Sequence, residues 1–423
     1  MGTTFFSVAV LLLSGLYTLA SRKLLNAFTL LSLPYLLIIL INNYYMASKG
    51  FDDVEPNTMK FLCLSFFIFW VGGMLSLFWQ QFINHKKWKT SINNLQYNYR
   101  TMFYYVTVIG LIVFVQLFVI IKTHGLAYIG SEEFSGRLLG GIVGKLMITT
   151  YPLAPILLYA WFEHKRSFHF FLAYMGILLL TFLTFVKYHI ISLILITFIY
   201  LYFKKRKYAL QSGLVFFVGI PLVFVLNYLV SFKVRGITVD NSFYLQHLWN
   251  YVGGSIINDN NALNFGFRQG TSVIYKLGVF MLPLANMFFS PLGIELPHHE
   301  ELMFSQIGAT DQMRTNVIDQ FAYLFDSQNF GGKFFYYTLI VVMFGIVAEF
   351  IINRLRYPKN DGSLLFAACF ATFFLVLGFF GTFYVQPVPW LWMIFSWLMQ
   401  KFFKKKTVYN SDSELETYQL NYK

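Results

Sequence analysis

Basic residues are few in the polar stretches of this chain, and each has neighbours suited to a specific chemistry. Arg137 lies in Ser131-Glu-Glu-Phe-Ser-Gly-Arg-Leu-Leu-Gly-Gly. A guanidinium there can hold a phosphate through two parallel hydrogen bonds, which an ammonium cannot, or it can pair locally with Glu132 or Glu133. Lys187, followed by Tyr188 and His189, sits in a link almost too short to be a loop. Such a charge either snorkels to lipid headgroups or faces a polar cavity and meets an anionic ligand. Arg235-Gly236 directly follows an apolar run, while Arg268 (Phe267-Arg-Gln-Gly270) and Arg314 (Met313-Arg-Thr-Asn316) stand beside amides and hydroxyls. Arginine among Asn, Gln, Asp and aromatic residues makes a surface for sugars and phosphates. The polar groups bond hydroxyls and ring faces cover pyranose C–H, although such residues also brace loops.

His298-His299-Glu300-Glu301 suggests proton transfer, with His299 as candidate base and an acid of the long polar loop 232–333 as the alternative. Adjacent histidines point apart in helix and strand, and the spacing is not that of a zinc helix, so no metal is expected. Neither a Gly-rich phosphate loop nor a nucleophile elbow nor a cysteine pair is present, and no cofactor is expected. Cys63 and Cys369 fall within apolar runs and read as core residues.

The elements that must position these groups are apolar runs near the length that crosses a bilayer. About eleven are legible: 3–20, 24–45, 60–82, 102–121, 145–162, 168–186, 188–203, 211–231, 334–352, 364–384 and 388–403. Hydrophobic residues are 57% of the 423 and charged residues 12%, and mean hydropathy is +0.58. That composition excludes a soluble globular protein. The formal charge of +13 resides largely in alternate short links, such as Arg22-Lys23 and Lys204–Lys207. Their expected neighbours are anionic headgroups, not nucleic acid. The positive-inside rule places those links in the cytoplasm, the N-terminus outside and the C-terminus inside. The first run lacks a basic n-region and a cleavage site and reads as a retained helix.

The expected fold is therefore all-α, a polytopic membrane helix bundle of about 11 transmembrane helices. Residues 1–231 carry the first eight helices, 232–333 a large extracytoplasmic loop containing short helices, 334–403 three more helices, and 404–423 a cytoplasmic tail. Val273 to Ser290, with Lys276 and Pro283, reads as an interfacial or re-entrant helix.

Leu248-Trp-Asn-Tyr-Val-Gly-Gly-Ser-Ile-Ile-Asn resembles the Tyr-x-x-Gly-Pro segment of the Wzy-type oligosaccharide repeat-unit polymerases, with Ser255 where proline is usual. Thr315-Asn-Val-Ile-Asp-Gln-Phe and Phe330-Gly-Gly332 are similar to the same family's Thr-Asn-Val-Tyr-Thr and Asp-Phe-Gly-x-x-Gly patterns, with Asp319 standing where threonine is common. Phe185-Val-Lys-Tyr-His sits where the family has a basic residue opening a span. The layout of helices and one late, long outer loop agrees over nearly the whole chain.

The resemblance implies a glycosyltransferase that joins undecaprenyl-pyrophosphate-linked oligosaccharides into O-antigen, capsule or exopolysaccharide at the outer face of the cytoplasmic membrane. It carries Lys187, Tyr251, Gly253, Thr315, Asn316 and Gly331 into the site, beside Arg137, Arg235, Arg268 and Arg314 from the residues themselves. Arg314, Arg235 and His299 are the catalytic candidates, and Arg137, Lys187, Arg268, Tyr251 and Asn316 the substrate-binding ones. Partners implied are the lipid-linked oligosaccharide, membrane lipid, and the flippase and chain-length regulator of the same pathway. An O-antigen-type ligase, a lipid-oligosaccharide flippase or other transporter, and a structural partner in polysaccharide assembly are the rival readings.

Overall fold

Within hydrocarbon every backbone N–H and C=O must be satisfied inside its own segment, so apolar runs cross as helices. The computed structural model describes residues 2–83, 97–164, 167–265, 282–289, 292–294, 304–326, 333–381 and 383–404. The first half holds α1 (Thr3–Ser21), α2 (Ala27–Ile41), α3 (Pro56–Ile83), α4 (Tyr99–His124), α5 (Glu132–Leu139), α6 (Gly141–Thr150), α7 (Leu153–Glu163), α8 (Phe168–Leu183), α9 (Lys187–Lys204) and α10 (Arg206–Arg235). The rest holds α11 (Asn241–Val252), α12 (Gly254–Phe265), α13 (Leu282–Phe289), the antiparallel pair β1 (Ser305–Gln306) and β2 (Arg314–Thr315), α14 (Gln320–Asp326), α15 (Lys333–Arg356), α16 (Asp361–Phe370) and α17 (Pro387–Phe403).

Eight of these helices, or unbroken helix pairs, are long and apolar enough to cross a membrane: α1, α2 with its extension to Lys49, α3, α4, α6 with α7, α9, α10 and α15. The other three expected runs are shorter. The helix α8 has 16 residues and α17 has 17. The helix α16 loosens into a π turn over Ala371–Val376 and then two 3-10 turns around Gly381.

Contacts divide the bundle into two ends. At the end with the basic links, Lys204 and Asp361 form a buried ion pair of 2.6 Å and Lys205 meets Glu163 at 2.6 Å. There too Asn98 N donates to the Phe403 carbonyl at 2.9 Å. At the opposite end Asn43 donates to Thr3 Oγ1 at 3.0 Å, Trp249 Nε1 to Asn42 Oδ1 at 2.9 Å, and Asp52 N to the Ile307 carbonyl at 3.0 Å. Between the ends, α3 and α15 touch backbone to backbone. A Cβ at Gly72 would lie 2.2 Å from the Val342 carbonyl oxygen, and one at Gly345 2.3 Å from that of Phe69. Small residues give membrane helices such contact.

The segment after α10 is less external than its polarity predicts. Ser255 to Asp259 of α12 and Asp319 are all at most 1% exposed. Burial of amides and carboxyls is tolerable only when they are bonded, and each of these has at least one bond, although Asp259 Oδ2 has none among the described residues. Asn260 Oδ1 accepts from Thr58 at 2.7 Å, Asn258 Nδ2 donates to the Val317 carbonyl at 3.0 Å, and Asp319 accepts from Tyr35 of α2 at 2.7 Å. Asp319 N donates to Asp259 Oδ1 at 3.0 Å. Burial pushes the Asp319 carboxyl above the ordinary carboxylate range. Burial and the neighbouring Asp319 hold that of Asp259 well above the carboxylate range.

Candidate functional site

At the end opposite the basic links lies a cavity of about 1020 Å³ into which six segments project: the link before α5, the start of α9, the ends of α10 and α11, the β2 strand with its sequel, and Phe380. Each cation reaches it through a local feature of the chain. The helix α8 ends at Thr184, whose Oγ1 accepts from Val186 N at 3.2 Å. Phe185 then adopts φ +56, unusual for a bulky residue, and this sharp turn starts α9 at Lys187. Gly236, at φ +68, closes α10 and leaves Arg235 exposed on its final turn, where the helix dipole favours a cation. The β pair sets Arg314, Thr315 and Asn316 along one wall.

Lys187 sits in an aromatic box. Its ammonium is 3.8 Å from the Tyr228 ring centroid, 4.6 Å from that of Tyr251 and 5.8 Å from that of Phe224. It donates to the Tyr228 hydroxyl and, at 3.3 Å, to that of Tyr251. Ring faces and phenol oxygens stabilise an ammonium, and no carboxylate among the described residues pairs with it. Arg235 likewise has no ion-pair partner among those residues. Arg314 meets Asp311 at 2.7 Å on the exposed rim, a pairing that solvent weakens. Three cations and the carboxylate of Glu133 share the lining, so the cavity carries net positive charge.

Lys187, Arg235, Arg314, Tyr251 and Asn316 of the expected set are thus brought together, with Thr315. Arg137 is not part of the lining. Its guanidinium lies 2.8 Å from His124 Nε2, and the Glu132 side chain is not among those described. Gly253 permits the tight passage from α11 to α12, since a Cβ there would come 2.6 Å from the Trp249 ring. Ser255, in the place of the usual proline, donates to the Phe379 carbonyl. Arg268, His298, His299, Lys276, Gly331 and most of the expected helix 273–290 lie outside the described residues.

Among the lining residues that escaped the sequence reading are Tyr228 and His247. His247 stacks on Phe243 at 4.9 Å and meets Tyr228 edge-on at 4.6 Å. Burial, with the Lys187 charge adding to it, pushes its imidazole down to about 4, so it is neutral at ordinary pH. The available signal was the stripe Phe243, His247, Tyr251, four residues apart on one face of α11. Among the described residues no group of three or more His, Cys, Asp or Glu side chains converges.

Such a cavity suits an anion with an attached hydroxyl-rich group: cations for the first, phenols, amides and ring faces for the second. No curated protein and no solved structure matches the chain. The family of unknown function DUF6337 matches residues 50–408, and the chain belongs to it.

Proposed function

We propose that this chain, of a family whose function is open, joins lipid-pyrophosphate-linked oligosaccharides into a surface polysaccharide. Its eight long helices and three shorter apolar stretches then make eleven crossings of the cytoplasmic membrane, with the cavity facing outward. The observation that carries the reading is the gathering of Lys187, Arg235 and Arg314 with aromatic and amide side chains at one end of the bundle.

The reaction breaks the bond between the donor sugar's C1 and its pyrophosphate oxygen and forms a bond from C1 to an acceptor hydroxyl oxygen. The electron pair leaves with undecaprenyl pyrophosphate, and the hydroxyl proton passes to a base. Arg235 and Arg314, exposed at the rim, hold the pyrophosphate. Lys187, deeper and desolvated, stabilises charge as it grows on the leaving oxygen. His247 takes the proton. Burial is the larger cause of the imidazole's low basicity and the Lys187 charge the smaller; a pyrophosphate bound beside Lys187 offsets that smaller part, so substrate binding makes this base somewhat stronger. No nucleotide is needed, because the leaving group supplies the driving force.

Arg314→Ala and Arg235→Ala are each expected to abolish long-chain polymer in cells while protein abundance stays normal. Polymer of normal length in both variants would remove these residues from the mechanism. In a strain lacking the protein, single repeat units should accumulate on their lipid acceptor. Free, unattached polymer would point to a ligase instead.

A further inference from the structure

We propose that Arg137, His124 and Tyr128 form a docking site for the phosphodiester headgroup of an anionic phospholipid, at the edge of the cavity that Tyr128 also lines and at the same end of the bundle. The inference goes beyond the glycosyltransferase reading and requires only that the bundle spans a bilayer.

Arg137 lies on α5, an amphipathic helix. Phe134 and Leu138, four residues apart, are 0% and 1% exposed, whereas Arg137 lies on the exposed face. The helix is fixed in place: Ser131 Oγ caps it by accepting from Phe134 N at 3.1 Å, and Gln116 of α4 donates to the Arg137 carbonyl at 3.0 Å. The depth of the site follows from α4, which has 26 residues. At 1.5 Å per residue it rises roughly 39 Å, more than the ~30 Å of hydrocarbon. Its last turn, with Lys122 and His124, therefore stands among headgroups.

The guanidinium is oriented there without being neutralised. One of its N–H groups reaches His124 Nε2 at 2.8 Å, an arrangement in which that nitrogen accepts and the ring is uncharged. The His124 ring stacks on Tyr128 at 4.6 Å, and the guanidinium lies 5.8 Å from the centroid of the same tyrosine. Among the described residues no carboxylate stands within ion-pair distance of Arg137. A full positive charge with N–H groups to spare, anchored by a ring nitrogen on one side, matches the two free oxygens of a phosphodiester. Lower on α4, round the helix from His124, Phe118 and Val119 are 62% and 54% exposed and present apolar surface to acyl chains. That second surface selects an amphiphile over a free phosphate ion.

The full-length protein, in nanodiscs holding phosphatidylglycerol and phosphatidylcholine in equal amounts, is expected to retain phosphatidylglycerol in native mass spectrometry. Arg137→Ala should lower that retention about fivefold, the factor expected for one basic side chain near an anionic surface. Photoactivatable phosphatidylglycerol should label residues 122–128 of the unmutated protein, a readout that does not depend on the variant folding. Unchanged retention in Arg137→Ala, or equal labelling by photoactivatable phosphatidylcholine, overturns the proposal. Displacement of the retained lipid by inorganic phosphate would do the same, by showing a free-anion site.

Discussion

Lys187 and His247 share one aromatic enclosure, and the ammonium sets the charge of the imidazole's surroundings. A neutral imidazole beside an ammonium accepts protons only under acid conditions, about pH 4 in the empty cavity. The direction of the effect on activity follows. As pH falls through that value the ring gains a proton, a second positive charge enters the box, and the base is lost. The acid limb of kcat/KM, which reports the free enzyme, is expected near pH 4 instead of near the ordinary histidine value of about 6.5. His247→Gln should remove the limb and lower kcat/KM by about a hundredfold, within the usual contribution of a positioned base. A pH profile measured with a purified lipid-linked donor checks both, and a limb unmoved by His247→Gln would assign it to another group. Lys187, Arg235 and Arg314 were visible in the sequence because a cation is conspicuous in so apolar a chain. His247 and Tyr228 were not, since their roles exist only once α11 lies across α10.

Elements were legible in proportion to the continuity of their hydrogen bonding. Hydropathy registers composition alone. It therefore finds the run 364–384 as readily as α9, although the former unwinds around Gly381, where φ is +154. The opposite error concerns α12. Asn258-Asp-Asn-Asn261 reads as solvated, yet most of it is buried because carbonyls and hydroxyls from α3 and the neighbouring segment bond its side chains. The close passage of α3 over α15 was equally hidden, since Gly72 and Gly345 acquire meaning only when apposed. Gly345→Leu would force those backbones apart, because its Cβ would already sit 2.3 Å from the Phe69 carbonyl oxygen. Overpacking of this kind costs about 1–3 kcal/mol. A lowered thermal unfolding midpoint in detergent is the expected result, and an unchanged one would mean that the helices slide apart freely.

For the whole molecule, the cavity and the basic links occupy opposite ends, and this fixes what orientation must achieve. With the basic end in the cytoplasm, a thiol introduced by Arg235→Cys is expected to react with a membrane-impermeant maleimide in intact cells. One introduced by Lys404→Cys should react only after permeabilisation. The reverse pattern would turn the cavity inward and leave the glycosyltransferase reading without a substrate. Fold class and the alternation of long helices between two ends were predictable from run lengths and basic residues. The re-entry of the 254–265 and 315–320 segments was not, because it depends on pairings between residues hundreds of positions apart, such as Tyr35 with Asp319.

The contact of Asn98 with the carbonyl of Phe403, together with the Trp392 ring against that of Tyr151 at 4.8 Å, has a consequence for biogenesis. The helix that leaves the ribosome late is the one that seals the early helices. A nascent chain arrested before α17 would expose those faces to the translocon and to quality-control proteases, so assembly waits on the synthesis of α17.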